Sequence, residues 1–317
     1  MPGRVLLIGG SLNQTTMMHK IGECLADCEC FYSPFFADGL MQWMAEAGML
    51  ANSILGGRAR QRTLDYLRKN GLSVDYRGKS REYDLVITAT DVIFPRRFRD
   101  QNVVLVQEGI TDPEDWRYWV VRRLKLPRWL ANTSTTGLSH QYNAFCVASE
   151  GYRELFVRKS VDPQRLRVTG IPNFDNVAAL LDNDFPHRGY VLVATSPRRE
   201  VYRYENRKAF IQKALSIANG RQLIFKLHPL EKVDRATREI ERYAPKAMVF
   251  ADGNTDHMIA NCDTLVARYS SVTYVAHALN KEIHSDIDPR TLSKLAPIQN
   301  GGKSAANIAE VCREYLN

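Results

Sequence analysis

Short apolar runs alternate along the chain with stretches in which apolar residues recur every three to four positions. The run at 4–10 (RVLLIGG) closes on two glycines, as a buried parallel strand does before its turn. A helical pattern follows over 13–26, then an apolar run at 29–36 and a helix over 58–69 stopped by Asn70-Gly71. Buried strands are expected at 85–89, 103–106, 145–148 and 166–169, with a helix over 151–159. The polar, proline-containing stretch 181–189 (LDNDFPHRG) has no periodicity and interrupts the pattern. Alternation then resumes with strands at 190–195, 222–227, 248–251, 265–267 and 282–284. Helices over 205–218 and 232–243, and others starting at Thr255, Val272 and Ser304, separate them.

Strands separated by helices predict parallel sheets. Two such series in 317 residues predict two Rossmann-like, doubly wound α/β domains facing a cleft, 1–183 and 184–317. Ligands of open parallel sheets bind at the carboxyl ends of strands, so the residues just after each run carry the chemistry. Three such ends in the second half suit phosphate. Thr195-Ser196-Pro197-Arg198-Arg199 offers hydroxyls and guanidinium groups. Lys226-Leu227-His228-Pro229 ends a strand on a histidine that can donate to phosphate or move a proton near neutral pH. Ser270 and Ser271 stand before a helix, where they cap it or hold an anion.

In the first half, Glu108 follows the strand NVVLV in Gln107-Glu108-Gly109 and is a candidate general base for an acceptor hydroxyl. Gly9-Gly10-Ser11 forms a glycine turn after the first strand that permits close backbone approach. It is neither a GxGxxG fingerprint nor a Walker A loop. The segment Val168-Thr169-Gly170-Ile171-Pro172-Asn173-Phe174-Asp175 reads as a structural turn, with Asn173 or Asp175 as a helix cap.

A hydrophobic content of 44% and a charged content of 25% exclude disorder. No apolar run approaches the ~18 residues of a membrane span. The opening residues lack a signal-peptide layout, which makes the cytoplasm the expected compartment. The six cysteines, Cys24, Cys28, Cys30, Cys146, Cys262 and Cys312, read as free thiols rather than a disulfide framework or metal site. The net charge of +8 favours anionic partners. Five of the cations, Arg117, Arg122, Arg123, Lys125 and Arg128, lie among Trp116, Tyr118, Trp119, Leu126 and Trp129. Segment 113–130 is therefore either a core-facing helix with a basic outer face or a contact with an anionic membrane, at the inner face of the membrane. The chain has no recognised nucleic-acid-binding motif and no single basic tract, so nucleic acid is not the expected partner.

The order Glu108-Gly109, His228-Pro229, Ser270-Ser271 is similar to that of bacterial sialyltransferases and polysialyltransferases, and it resembles the capsule Kdo transferases. The resemblance implies a GT-B glycosyltransferase that uses a CMP-activated sugar in cell-surface polysaccharide synthesis. It implies Glu108 as general base and His228 with Ser270 and Ser271 on the donor phosphate. Gln107 stands where those families often carry a second acid. Residues 168–176 and Arg198-Arg199-Glu200 resemble UDP-N-acetylglucosamine 2-epimerases, but Ser196 replaces that family's histidine and its Gly-Gly-x-Gln-Glu-Glu run is missing. The CDP-glycerol glycerophosphotransferases also carry a histidine-proline element, with a histidine-glycine pair where Glu108-Gly109 stands here. The expected activity is thus transfer of a sugar from a nucleotide donor to a glycan or lipid-linked acceptor. Ser196, Arg198, Arg199, Lys226, His228, Ser270 and Ser271 would neutralise the departing phosphate, with no metal and no cofactor.

Overall fold

The computed structural model describes residues 2–50, 53–200 and 203–316. The chain divides into two compact units, Met1–Asp175 with Pro297–Asn317 and Asn176–Ala296.

The first unit contains β1 (Arg4–Gly9), α1 (Leu12–Glu23), β2 (Glu29–Pro34), α2 (Gly39–Glu46) and α3 (Gly57–Lys69). It continues through β3 (Leu85–Thr88), β4 (Val103–Val106), α4 (Trp116–Arg123), β5 (Ala144–Val147), α5 (Glu150–Arg158) and β6 (Leu166–Val168). Its strands form one parallel sheet in the order β2-β1-β3-β4-β5-β6. Every residue of β3, β4 and β5 is buried, which is why their sequences are continuous apolar runs rather than alternating ones.

The second unit contains β7 (Tyr190–Ala194), α6 (Arg207–Ala218), β8 (Leu223–Lys226), α7 (Val233–Tyr243) and β9 (Met248–Phe250). It ends with α8 (Thr255–Asn261), β10 (Cys262–Ala267), α9 (Val272–Ala278), β11 (Glu282–His284) and α10 (Pro289–Leu295). Its parallel sheet runs β11-β10-β7-β8-β9. One face of that sheet buries Val191, Val193, Phe225 and Val266 against Phe210 and Ile211 of α6 and Ile240 of α7. A last helix, α11 (Ser304–Arg313), belongs to the first unit.

The division differs from the one drawn at 183/184. It falls at Asp175/Asn176, the stretch 181–189 lies inside the second unit, and residues from Pro297 return to the first. The returning segment has a built dock. Ile298 donates its backbone N–H to Ala148 (3.0 Å). The Asp175 carbonyl accepts from Asn300 and Gly301 (3.0 Å each), and its carboxylate accepts the Ser304 N–H at the start of α11 (2.8 Å). Gly170, at φ 83°, lies so close to Ser304 that a Cβ there would overlap it. Asp175 thus serves α11, far along the chain, rather than the next helix in sequence. Arg313 then closes the other end on Asp27 (3.0 Å) and the Cys24 carbonyl (2.8 Å).

Among the described residues no helix is long and apolar enough to cross a membrane. No group of His, Cys, Asp and Glu there could hold a metal ion. Cys24, Cys28 and Cys30 are half-buried free thiols, and Cys146, Cys262 and Cys312 are buried ones.

Candidate active site

Each unit carries its own set of residues at strand ends. In the first, Glu108 follows β4 and is half-buried. Its Oε1 accepts from the Ser11 hydroxyl (2.8 Å) and Asn13 Nδ2 (3.4 Å), and its Oε2 from Gln14 Nε2 (2.5 Å). Those three residues open α1. Ser11 is its N-cap, and Gln14 closes a capping box by accepting from the Ser11 N–H (3.3 Å), while the same oxygen also accepts from the Gly10 N–H at 2.6 Å. A carboxylate held against a helix N-terminus is electrostatically favoured there. Asn173 extends the cluster, donating to Asn13 Oδ1 and the Asn13 carbonyl (2.8 Å each).

The glycine turn and Glu108 therefore form one cluster. The close approach that Gly9 and Gly10 permit is that of the chain itself: a Cβ on Gly9 would sit 3.0 Å from Thr15, and one on Gly10 2.9 Å from Phe35. Gln107 is 1% exposed and bridges β4 to β5, accepting from the Ala148 N–H (2.9 Å) and donating to the Gly109 carbonyl (2.8 Å).

In the second unit β10, β7 and β8 are adjacent, so the segments after them start from neighbouring strand ends. After β8 the His228 N–H reaches Glu231 Oε2 (2.9 Å) and Thr195 Oγ1 (3.2 Å). The His228 ring accepts the Leu230 N–H at Nδ1 (3.2 Å), which places the proton of the neutral imidazole on Nε2. Glu231 holds this turn. It is 7% exposed, contacts the Thr195 hydroxyl and pairs with Arg207. Sequence reasoning passed over it; the signal was an acid three residues after His228 in a turn.

After β7 the Ser196 hydroxyl oxygen is buried with no hydrogen-bond partner among the described residues. Arg198 reaches the Tyr204 carbonyl (3.2 Å), while Arg199 grips Glu239 with two bonds of 2.7 Å. That pairing holds the Glu239 carboxyl below the usual carboxylate range. Burial pushes the neighbouring Glu205 up, against the pull of Arg207 and Arg199. Lys226 turns its ammonium onto the carbonyls of Ala251 (2.8 Å) and Leu227 (3.1 Å), and burial lowers its pKa. Arg199 and Lys226 are thus engaged within the fold.

After β10, Ser270 and Ser271 are half-buried, and Ser271 makes no side-chain cap to α9. Capping therefore leaves the Ser271 hydroxyl unused. Arg268, just before them, stacks over Phe210 with its Cζ 4.7 Å from the ring centre.

Segment 113–130 is partly the core-facing helix considered above and partly not. Tyr118 and Val121 of α4 are buried, but Trp116 is 70% exposed, Trp119 55% and Trp129 42%. The aromatics face outward together with Arg123 and Lys125.

Two parallel α/β sheets of six and five strands, each flanked by helices, define a GT-B-like fold. A variant of the wall teichoic acid polymerase TagF superposes with a TM-score of 0.55 at 11% identity, over 99% of this chain and 89% of that one. The UDP-GlcNAc 2-epimerase of Neisseria meningitidis, bound to UDP-GlcNAc, gives 0.60 at 12% identity over 98% and 100%. The Methanocaldococcus jannaschii epimerase, in complex with UDP-GlcNAc and UDP, gives 0.57 at 13% identity over 99% and 100%. At such identities the likeness is one of fold. No family model and no curated protein matches the chain.

Proposed function

We propose that the chain is a nucleotide-sugar-dependent transferase that holds its donor on the second unit and its acceptor on the first. The observation that supports this reading is that Ser196, His228, Ser270 and Ser271 follow three adjacent strands. His228 has Nε2 as its donor nitrogen, and the Ser196 hydroxyl has no partner among the described residues. Glu108 would take the proton of an acceptor hydroxyl. The oxygen forms a bond to the anomeric carbon as the sugar–phosphate bond breaks, and the electron pair leaves on the phosphate. His228, the serine hydroxyls and Arg198 stabilise that charge. Arg199 and Lys226 support the loops that carry them. Fixed groups do this work, so the reading requires neither metal nor cofactor.

A CMP-sugar is the donor favoured by the resemblance in motif order. A UDP-sugar is the second reading, supported by fold neighbours solved with UDP-GlcNAc; CDP-glycerol is a third, since another neighbour is a teichoic acid polymerase. The acceptor is a glycan or lipid-linked glycan of the cell surface. Segment 113–130 would place the first unit at the cytoplasmic face of the membrane. Thermal shift against CMP, CDP, UDP and GDP tests the reading, because a ligand that binds only the native state stabilises it. One nucleotide should stabilise the wild type, and His228→Ala, folded by circular dichroism, should lose that shift and all transfer. Unchanged turnover in His228→Ala ends the assignment.

A further inference from the structure

The second unit carries another concavity, a groove of about 570 Å³ between the first turn of α6 and one side of α7. That volume lies within the range of small-ligand sites. Its lining shares only Arg199 with the residues assigned to the donor. Arg235, Arg238 and Arg242 reach it from α7 at helical spacing, so they lie on one face of that helix.

The charges sort into two layers. Below, Arg199 is spent on Glu239, Arg207 on Glu231 and Glu205, and Arg235 on Glu200. The two carboxylates of the lining, Glu205 and Glu239, are consumed there. Above, Lys208, Arg238 and Arg242 are exposed and take part in no ion pair among the described residues. Lys208 Nζ and Arg242 Cζ stand 5.7 and 5.5 Å from the centre of the Tyr243 ring. Independently, Arg207 is 4% exposed yet has no hydrogen-bond partner at Nε or Nη1 among the described residues. Tyr204, 83% exposed, presents an aromatic face at the rim.

Unmatched cations over a neutralised floor call for an anion of several charges, and an exposed aromatic face suits a base. We propose that this groove binds a nucleoside polyphosphate at a second site, with the phosphates on Lys208, Arg238 and Arg242 and the base against Tyr204. Calorimetric titration of the full chain with ATP and, separately, with pyrophosphate tests it. Arg238→Gln/Arg242→Gln should weaken both ligands roughly tenfold or more, the loss expected for charge-assisted contacts. Tyr204→Ala should weaken ATP and leave pyrophosphate unchanged. His228→Ala should leave both intact, which separates this site from the donor site whatever becomes of the transferase reading. ATP binding that survives the double substitution, or that disappears with His228→Ala, overturns the proposal. Equal weakening of ATP and pyrophosphate by Tyr204→Ala overturns the base contact.

Discussion

Lys159 closes α5 with its ammonium inside the first unit. The side chain is 2% exposed, donates to the Ser134 carbonyl (2.8 Å), and lies 3.9 Å from Glu114. The rings of Tyr118 and Phe156 stand 5.3 and 5.9 Å away. Burial pulls its pKa from the ordinary 10.5 to about 8, and Glu114 opposes that only in part. The unfolded chain therefore keeps the proton up to 10.5 while the folded chain releases it near 8, and between those values stability rises with pH. At 1.36 kcal/mol per pKa unit the gap is worth about 3 kcal/mol. Buried thiols act in the opposite sense. Cys146 and Cys262 are pushed from 9.0 to about 12, so stability from them falls as the pH climbs past 9.0. The lysine must therefore be read as a difference between wild type and Lys159→Met, which keeps most of the stem packing. In urea unfolding, the wild type should gain about 2 kcal/mol on the variant between about pH 7 and 9.5. A wild-type-minus-variant difference that stays flat over that range refutes the argument.

Two further outcomes follow from packing and exposure. Asp175→Ala leaves the buried Ser304 N–H without its acceptor, at a cost of about 1–3 kcal/mol. Limited proteolysis should then cut within 297–317 faster than in the wild type; an unchanged digestion pattern contradicts the docking role. Trp116→Ala/Trp119→Ala should weaken sedimentation with vesicles rich in phosphatidylglycerol, and the wild type should bind neutral phosphatidylcholine vesicles poorly. Equal binding of wild type and variant to the anionic vesicles removes the membrane role of 113–130.

The sheets were legible because parallel strands buried on both faces write themselves as unbroken apolar runs, as VVLV at β4 and YVLVA at β7 do. The helix α2 was not, since its outward face carries Leu40 and Trp43, which blur the polar side of the period. The domain division eluded the sequence for another reason. The segment 181–189 looks like a linker by composition, but Asp175 and Gly170 hold 297–316 by contacts more than a hundred residues apart in the chain. The same distance hides the Glu108 cluster: Ser11 and Gln14 approach it across the end of β3, and only the sheet order brings β1 and β4 that near. Arg198-Arg199 reads as a phosphate-binding pair in one dimension. In three, Arg199 faces Glu239, forty residues on, a partner that no local pattern announces.

The net charge of +8 separates into two populations once those partners are known. Arg199, Arg207 and Arg235 each answer a glutamate of the second unit. Removing the Arg207 guanidinium would strand the buried Glu231 carboxylate, a change of the kind that costs about 3–5 kcal/mol. These cations belong to the fold and give no ground for an anionic ligand. Arg123 and Lys125 in the first unit, and Lys208, Arg238 and Arg242 in the second, have no such answer among the described ion pairs. Like charges gathered without counter-charges raise the energy of the folded state slightly, and an arriving anion lowers it. The anionic partners that the composition calls for are therefore best sought at the strand ends around Arg198 and His228, at segment 113–130 and at the groove beside α7. A diffuse polyanion spread over the whole surface would have to compete with glutamates already in place.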